Sequence, residues 1–463
     1  MTENTQVVAG TGDIIATDDI GGVKYQRVKL IHGADGVNDG DVSEDNHLPI
    51  AERYFQPTST MRDAFGRLRI SSPQVLGFGT HEYGLNTSYI ETSVNGSGAV
   101  ANVLNESSLS LTNGGGTSGH YAIVQTRQFH RYIPGRSQLV RWTGSFGTPT
   151  ANVRQRCGYF SSRNGVFLEY DGTTLYFVRR SYTSGAAVDT RIARSSWDDP
   201  MDGTGLSGVN LDLAGGTTWL AWVDLEWLGV GRYRFGFASP STGELLVCYA
   251  AAGTNSLAVP YMTTANLPVR YEIENTGAAS AVTMKWICYA VDTEGGDEGQ
   301  LPIQLSVDSG VTAKALATAS SMPVIALRAK TTGPNSVPNR AQIILRAINA
   351  SVLGNFSAHF RLILNPTTLT ANGGAVTWTS GGALAEFATF SAAGDTVAGG
   401  TVIDSFNVAA AATVKGSADA DIFRRFPLVY TELGSVQDTV VLVGQSIGGA
   451  SNAYGSLTFQ EVY

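Results

Sequence analysis

Charge is scarce in this 463-residue sequence: only 15% of its residues are Asp, Glu, Lys or Arg, against roughly 25% in ordinary soluble domains. The balance that remains is acidic, with a net charge of −8, so the basic footprint needed to wrap nucleic acid is missing and that partner is excluded. Cysteine is nearly absent. Cys157, Cys248 and Cys288 are odd in number and far apart, in the apolar contexts QRCGYF, LLVCYA and KWICYA. They fit neither a disulfide framework nor a zinc spacing, and are expected as small buried core residues. No stretch of 18 apolar residues is free of charge, so no membrane insertion is expected. The opening residues lack both a basic start and an apolar run, so a signal peptide is not expected, and the chain should be made in a cytosol.

Recognisable chemistry is also sparse. The six histidines, His32, His47, His81, His120, His130 and His359, form no HxH or HExxH pattern and pair with no cysteine, which leaves no metal site to predict. GGGTSGH is glycine-rich, but no Lys-Ser/Thr follows it, and no Gly-x-Ser-x-Gly elbow occurs. Two acidic loops, GADGVNDGDVSED and SWDDPMDGTG, have a composition that could hold Ca²⁺. The first lacks the spacing and closing Glu of an EF-hand. No catalytic, cofactor-binding or metal residue is assigned, and no cofactor is expected.

What the sequence does have is 54 glycines and short alternating runs rich in Val, Thr and aromatics. That pattern predicts strands joined by tight turns. Turn signals stand at Asn113-Gly114, Asn164-Gly165 and Asp171-Gly172, where glycine supplies positive φ. GVFLEYDGTTLYFVRRS is the clearest hairpin. The run VAAAATV is read as strand because its flanks are β-branched. GRLRIS, with Leu68 and Ile70 alternating against arginines, reads as a strand closed by Pro73.

The fold class expected is therefore all-β: an N-terminal extended arm followed by two antiparallel β-sandwich domains of jelly-roll or concanavalin-like type. The arm is residues 1–59, in which one strand near Val23–Val28 and a polar loop cannot bury a core and must lean on something else. The first sandwich is 60–294. Gly and acid cluster around DTEGGDEGQLPIQ, and the second sandwich is 295–463.

One stretch invites a catalytic reading. In WLAWVDLEWLGVGRYRFGF (219–237), Asp224 and Glu226 share a strand face with Trp222. Alternate strand residues lie about 6.5–7 Å apart, near the ~5–5.5 Å of a retaining glycosidase pair. The Glu-x-Asp-x-x-Glu pattern of β-sandwich glycosidases is not completed, however. Trp222 stands two before Asp224, and Trp227, Leu228 and Gly229 follow, none of them acidic. The competing expectation is structural: both acids pair with Arg232 and Arg234 in a cross-strand ladder, while Trp219, Trp222 and Trp227 fill or rim the core. Tyr159, Phe160, Tyr170, Tyr176 and Phe177 are candidates to stack sugars wherever strand parity turns them outward.

Several of these segments carry a resemblance. IGGVKYQRVKLIHGADG followed by RDAFGRLRIS resembles the N-terminal portion of structural proteins of tailed bacteriophages. The block DGTGLSGVNLDL…WVDLEWLGVGRYRFGF…YMTTANLPVRYEIENTG is similar to one shared by large β-rich virion-associated proteins. The match spans roughly residues 13–75 and 160–290. It implies a non-enzymatic virion component assembled in the host cytoplasm and anchored by its arm to the head, collar or tail. Its partners would be other virion proteins, whether capsid, portal, collar or tail, and copies of itself, with a trimer favoured. It brings no catalytic residues. The alternative reading is a tail-fibre or tail-tip protein that binds a receptor or host surface glycan.

Overall fold

The computed structural model describes residues 62–295, 302–417 and 427–463, together with the backbone of three strands nearer the N-terminus. The chain divides into two compact units, Met1–Ser59 and Thr60–Tyr463. In the first, Asn4–Gln6, Ile14–Ile20 and Val23–Gln26 form a three-stranded antiparallel sheet in that order. The strand expected from Val23 is present, and two more precede it. The polar loop 31–50 lies outside the described residues.

The second unit is built of antiparallel sheets packed in pairs. A seven-stranded sheet runs in the order Val188–Ala193, Thr174–Ser181, Gly165–Asp171, Val153–Phe160, Val269–Asn275, Tyr121–Thr126, Ile90–Asn95. Against it lies an eight-stranded sheet: Leu245–Ala252, Arg232–Ala238, Trp219–Leu225, Gln138–Ser145, Thr283–Glu294, Ser108–Thr112 and Ala99–Val103, with Pro73–Thr80 alongside the C-terminal half of Thr283–Glu294. Side chains alternate across each strand, and the inner faces interdigitate. Phe177 of one sheet stacks on Phe235 of the other with centroids 4.3 Å apart, and Trp197 meets Phe235 edge-on. Burial of each such ring stabilises by roughly 1.5–3 kcal/mol. A separate core, from Val307 to Val462, lies between a sheet centred on Gln342–Leu353 and Ser451–Val462 and a six-stranded sheet centred on Met322–Ala329 and Thr439–Ser446. The outer face of the six-stranded sheet is covered by the ribbon Thr368–Thr370/Thr396–Ala398 and Trp378.

The hairpin at 165–181 is present, with Asp171 opposite Thr174 and Gly172 at φ +62°. Asn164-Gly165 closes a hairpin in which Phe160 faces Gly165. Asn113-Gly114 does not join neighbouring strands. The Asn113 amide donates to Asn275 and the Ser280 carbonyl, tying a crossing between the two sheets. In VAAAATV the four alanines form a turn, with Ala411 at φ +52°, while Val408 ends the strand Thr401–Val408 and Thr413 and Val414 begin the strand Thr413–Ser417.

GRLRIS is not a strand. Asp63 accepts hydrogen bonds from the amides of Phe65 and Arg67, which curls the chain into a turn, and the next strand begins at Pro73. The alternation is real but its polarity is reversed: Leu68 and Ile70 face solvent, and the arginines face the sheet.

Candidate functional site

The strand Trp219–Leu225 buries Trp219, Ala221, Val223 and Leu225 in the core and turns Trp222 and Asp224 to the opposite face of its sheet, with Glu226 just beyond its end. Leu220 shares the Trp222 side, so side chains alternate regularly along the whole strand. Trp222 is nevertheless fully buried, because Gly236 opposite it lets the indole lie against the neighbouring backbone. A Cβ at 236 would stand 1.7 Å from the Leu246 carbonyl oxygen and 3.1 Å from the Trp222 ring.

Asp224 has no exposed surface. Its cross-strand partner is Arg234, equally buried, and the two are ion-paired. The second oxygen accepts from Ser137 and pairs with Arg69 at 2.8 Å. Arg234 also donates to the carbonyl of Arg62 at 2.5 Å. Glu226 pairs not with Arg232 but with Arg67, at 2.8 Å. The same guanidinium is held by Asp63 at 2.6 Å and lies 3.7 Å from Glu294. Thus the turn Arg62–Arg69 docks two arginines onto the acidic strand face, across about 160 residues of sequence. Burial raises the carboxyl pKa of Glu226, and Arg67 offsets part of that rise. Glu294 is raised for the same first reason, reinforced by Asp63. Arg232 is lowered by burial and by the charge of Arg234.

Both oxygens of Asp224 are engaged, and the carboxylate of Glu226 is ion-paired with the Arg67 guanidinium. The expected ladder is half present: Asp224–Arg234 forms, whereas Glu226–Arg232 is replaced by Glu226–Arg67. Nothing in the local spacing could signal a partner so distant in the chain.

The other sequence candidates disperse. Tyr159, Phe160, Tyr170 and Phe177 are buried and only Tyr176 is partly open, so this set does not form a stacking surface. Phe160 and Phe167 stack on each other beneath the guanidinium groups of Arg180 and Arg270. Outside that layer, Arg156 bridges Glu169 and Glu272, and burial of Glu272 is outweighed by Arg270 and Arg156, which hold its carboxyl down at about 2. In SWDDPMDGTG the carboxylates are spent on backbone amides: Asp199 accepts from Met201 and Ser207, Asp202 from Thr204, and Asp198 from Ala250. The first acidic loop lies outside the described residues, as do His32 and His47. Among the described residues no cluster of His, Cys, Asp and Glu is arranged to hold a metal. Cys157 and Cys248 are buried and Cys288 is half-buried, all as free thiols.

A feature not anticipated from sequence lies beside Pro73–Thr80. A cleft of about 860 Å³ is lined by that strand, the loop 81–90, Thr126, Gln128, His130 and Tyr289. Gly77 and Gly79 let the strand lie directly on rings, since a Cβ would come within 2.2 Å of His130 and 2.4 Å of Tyr289. Phe78, Tyr83 and Tyr89 are exposed at its mouth. The only local hint is the pair of tyrosines in the turn-rich HEYGLNTSYI.

No family model and no curated protein matches the chain. Among solved structures it is similar over 50% of its length to a protein of unknown function from Shewanella oneidensis MR-1 (12% identity, 92% of that chain, TM-score 0.30). It is similar over 48% to a β-glucanase of Bacillus licheniformis (11% identity, 100% of that chain, TM-score 0.28). A third likeness, over 49%, is to the CBM2 module of the evolved Dit of Lactobacillus casei BL23 phage J-1 (8% identity, 99% of that chain, TM-score 0.31). At these TM-scores no functional conclusion rests on the likeness.

Proposed function

We propose that this chain is a non-enzymatic structural component of a tailed-phage virion. Residues 1–59 anchor it to the head, collar or tail, and two sandwich domains, 60–294 and 295–463, assemble with copies of themselves, a trimer being favoured. One observation supports the reading most. The two blocks that carry the resemblance, RDAFGRLRIS and WVDLEWLGVGRYRFGF, meet at a single ion-paired locus: Arg67 on Glu226, Arg69 on Asp224, and Arg234 on the Arg62 carbonyl. The turn Arg62–Arg69, which follows the arm in sequence, is thereby fixed to a sheet face of its own unit. Stable mounting then depends on burial, with each contact between subunits covering at least about 1,000 Å².

The test is deletion of residues 1–55, which leaves the clamp intact. The truncated chain is expected to fold and to be lost from assembled particles. Normal incorporation would remove the anchoring role.

The second reading, a receptor- or glycan-binding tail protein, is favoured by the cleft beside Pro73–Thr80 and its exposed rings.

A further inference from the structure

The cleft is one part of a longer groove. Thr87, Tyr89 and Gln128 line both it and a second cavity of about 230 Å³ at the seam between the two cores, where Arg127 and Asp438 are ion-paired. Asn365 lines that seam cavity and a third, of about 540 Å³, walled by Pro366, Leu369, Val376 and Trp378. Shared walls chain the three cavities from the first sandwich to the second.

The lining repeats one kind of chemistry. Aromatic rings stand along it: Tyr83, 93% exposed, and Tyr89 in the first cavity, and a half-buried Trp378 in the third, with Arg328 stacked 3.9 Å from its ring centroid. Between the rings come uncharged hydrogen-bonding groups: Asn86, Thr87, Gln128, Asn365 and Thr439. The Arg127 and Asp438 charges neutralise each other. In the floor of the first cavity, His130 is 1% exposed, its ring covered by the backbone of Leu76 and Gly77.

We propose that this groove binds an extended, largely uncharged oligosaccharide, deepening the second of the two readings above, on which it rests. Aromatic faces cover the C–H faces of sugar rings, while amide and hydroxyl groups take the hydroxyls at the ring edges. A peptide fits less well. Strand addition needs a continuous open sheet edge, and this groove crosses two sandwiches over loop side chains such as Thr87, Ser88, Asn365 and Pro366. An anionic polymer would need unpaired cations, and the arginines along the groove are engaged by Asp438, by Glu386 or by the Trp378 ring.

The test uses the full chain on an array of bacterial O-antigen, capsular and peptidoglycan-derived oligosaccharides, beside Tyr83→Ala, Trp378→Ala and, away from the groove, Leu206→Ala. Circular dichroism and thermal melts of each variant establish folding. Expected is binding to oligosaccharides of several sugars, reduced at least fivefold by Tyr83→Ala and by Trp378→Ala separately and unchanged by Leu206→Ala. No binding to any glycan, or binding that neither groove variant weakens, overturns the proposal. Particle incorporation of the same variants is scored in parallel. Normal incorporation without glycan binding removes the groove proposal alone, and absence of even the wild-type chain from particles removes the virion reading alone.

Discussion

Arg234 is the residue whose loss the clamp should feel most. It has no exposed surface, pairs with the equally buried Asp224 and donates to the Arg62 carbonyl. Truncation to Ala leaves a buried carboxylate short of a counter-charge, which typically costs ~3–5 kcal/mol. Here Arg69 and Ser137 still hold one oxygen of Asp224, so the loss should fall at the lower end, about 3 kcal/mol. The pair itself contributes far less than that. Replacing both members by apolar residues of similar volume, as in Asp224→Leu with Arg234→Met, is often neutral or stabilising, so the double variant should recover most of the loss. The assay is urea unfolding followed by tryptophan fluorescence, since six of the seven tryptophans lie between residues 142 and 286 and report the first sandwich. A loss under about 1 kcal/mol for Arg234→Ala, or a double variant worse than the single, would refute the reasoning.

Other predictions follow the same logic. Glu226→Gln should change stability by less than about 1 kcal/mol, because its partner Arg67 is half exposed and such pairs contribute little; it should alter no glycan hydrolysis, and reducing-end release from laminarin abolished by this substitution would return the strand to catalysis. Burial lowers the His130 pKa from 6.5 to about 4. The unfolded chain therefore binds the extra proton between those values, and the contribution is complete above pH 6.5 and lost as pH falls toward 4. Relative to His130→Phe, wild type should lose on the order of 3 kcal/mol across that window; parallel pH profiles of the urea midpoint would contradict this. Lys314, fully buried, donates to Asp395 at 2.8 Å and to the Ala392 carbonyl, so Lys314→Met should cost roughly 3–5 kcal/mol in the second sandwich by stranding the carboxylate. Cys157 and Cys248, buried and with thiol pKa values pushed up by that burial, should resist maleimide in the native protein and react after unfolding.

Much of the fold was legible because two signals are local. Alternation located the strands, and Asp171-Gly172 located the tightest hairpin to within a residue. The Asp224–Arg234 pair was also within reach, because the intervening turn sets cross-strand neighbours ten residues apart. What escaped was long-range or depended on which face is covered. GRLRIS has the alternation of a strand, but alternation does not say which face is buried. Arg67 and Arg69 find carboxylates on a distant strand, so it is the apolar Leu68 and Ile70 that turn outward. Tyr159, Phe160 and Phe177 failed as surface candidates because both faces of their sheet are covered, one by the core and the other by Phe160, Phe167 and the guanidinium layer over them. The groove was invisible for a related reason: Tyr83, Gln128, Asn365 and Trp378 come from separate loops and strands that only the packed sandwiches bring into line.

The central proposal is that this chain is a mounted part of a phage particle, and cryo-electron microscopy of purified particles, with the chain located and its copies counted, tests it most directly. The account predicts density for the two sandwiches in several symmetry-related copies, with residues 1–59 buried in the head, neck or tail. A purified, infectious particle containing no copy of the chain would contradict it.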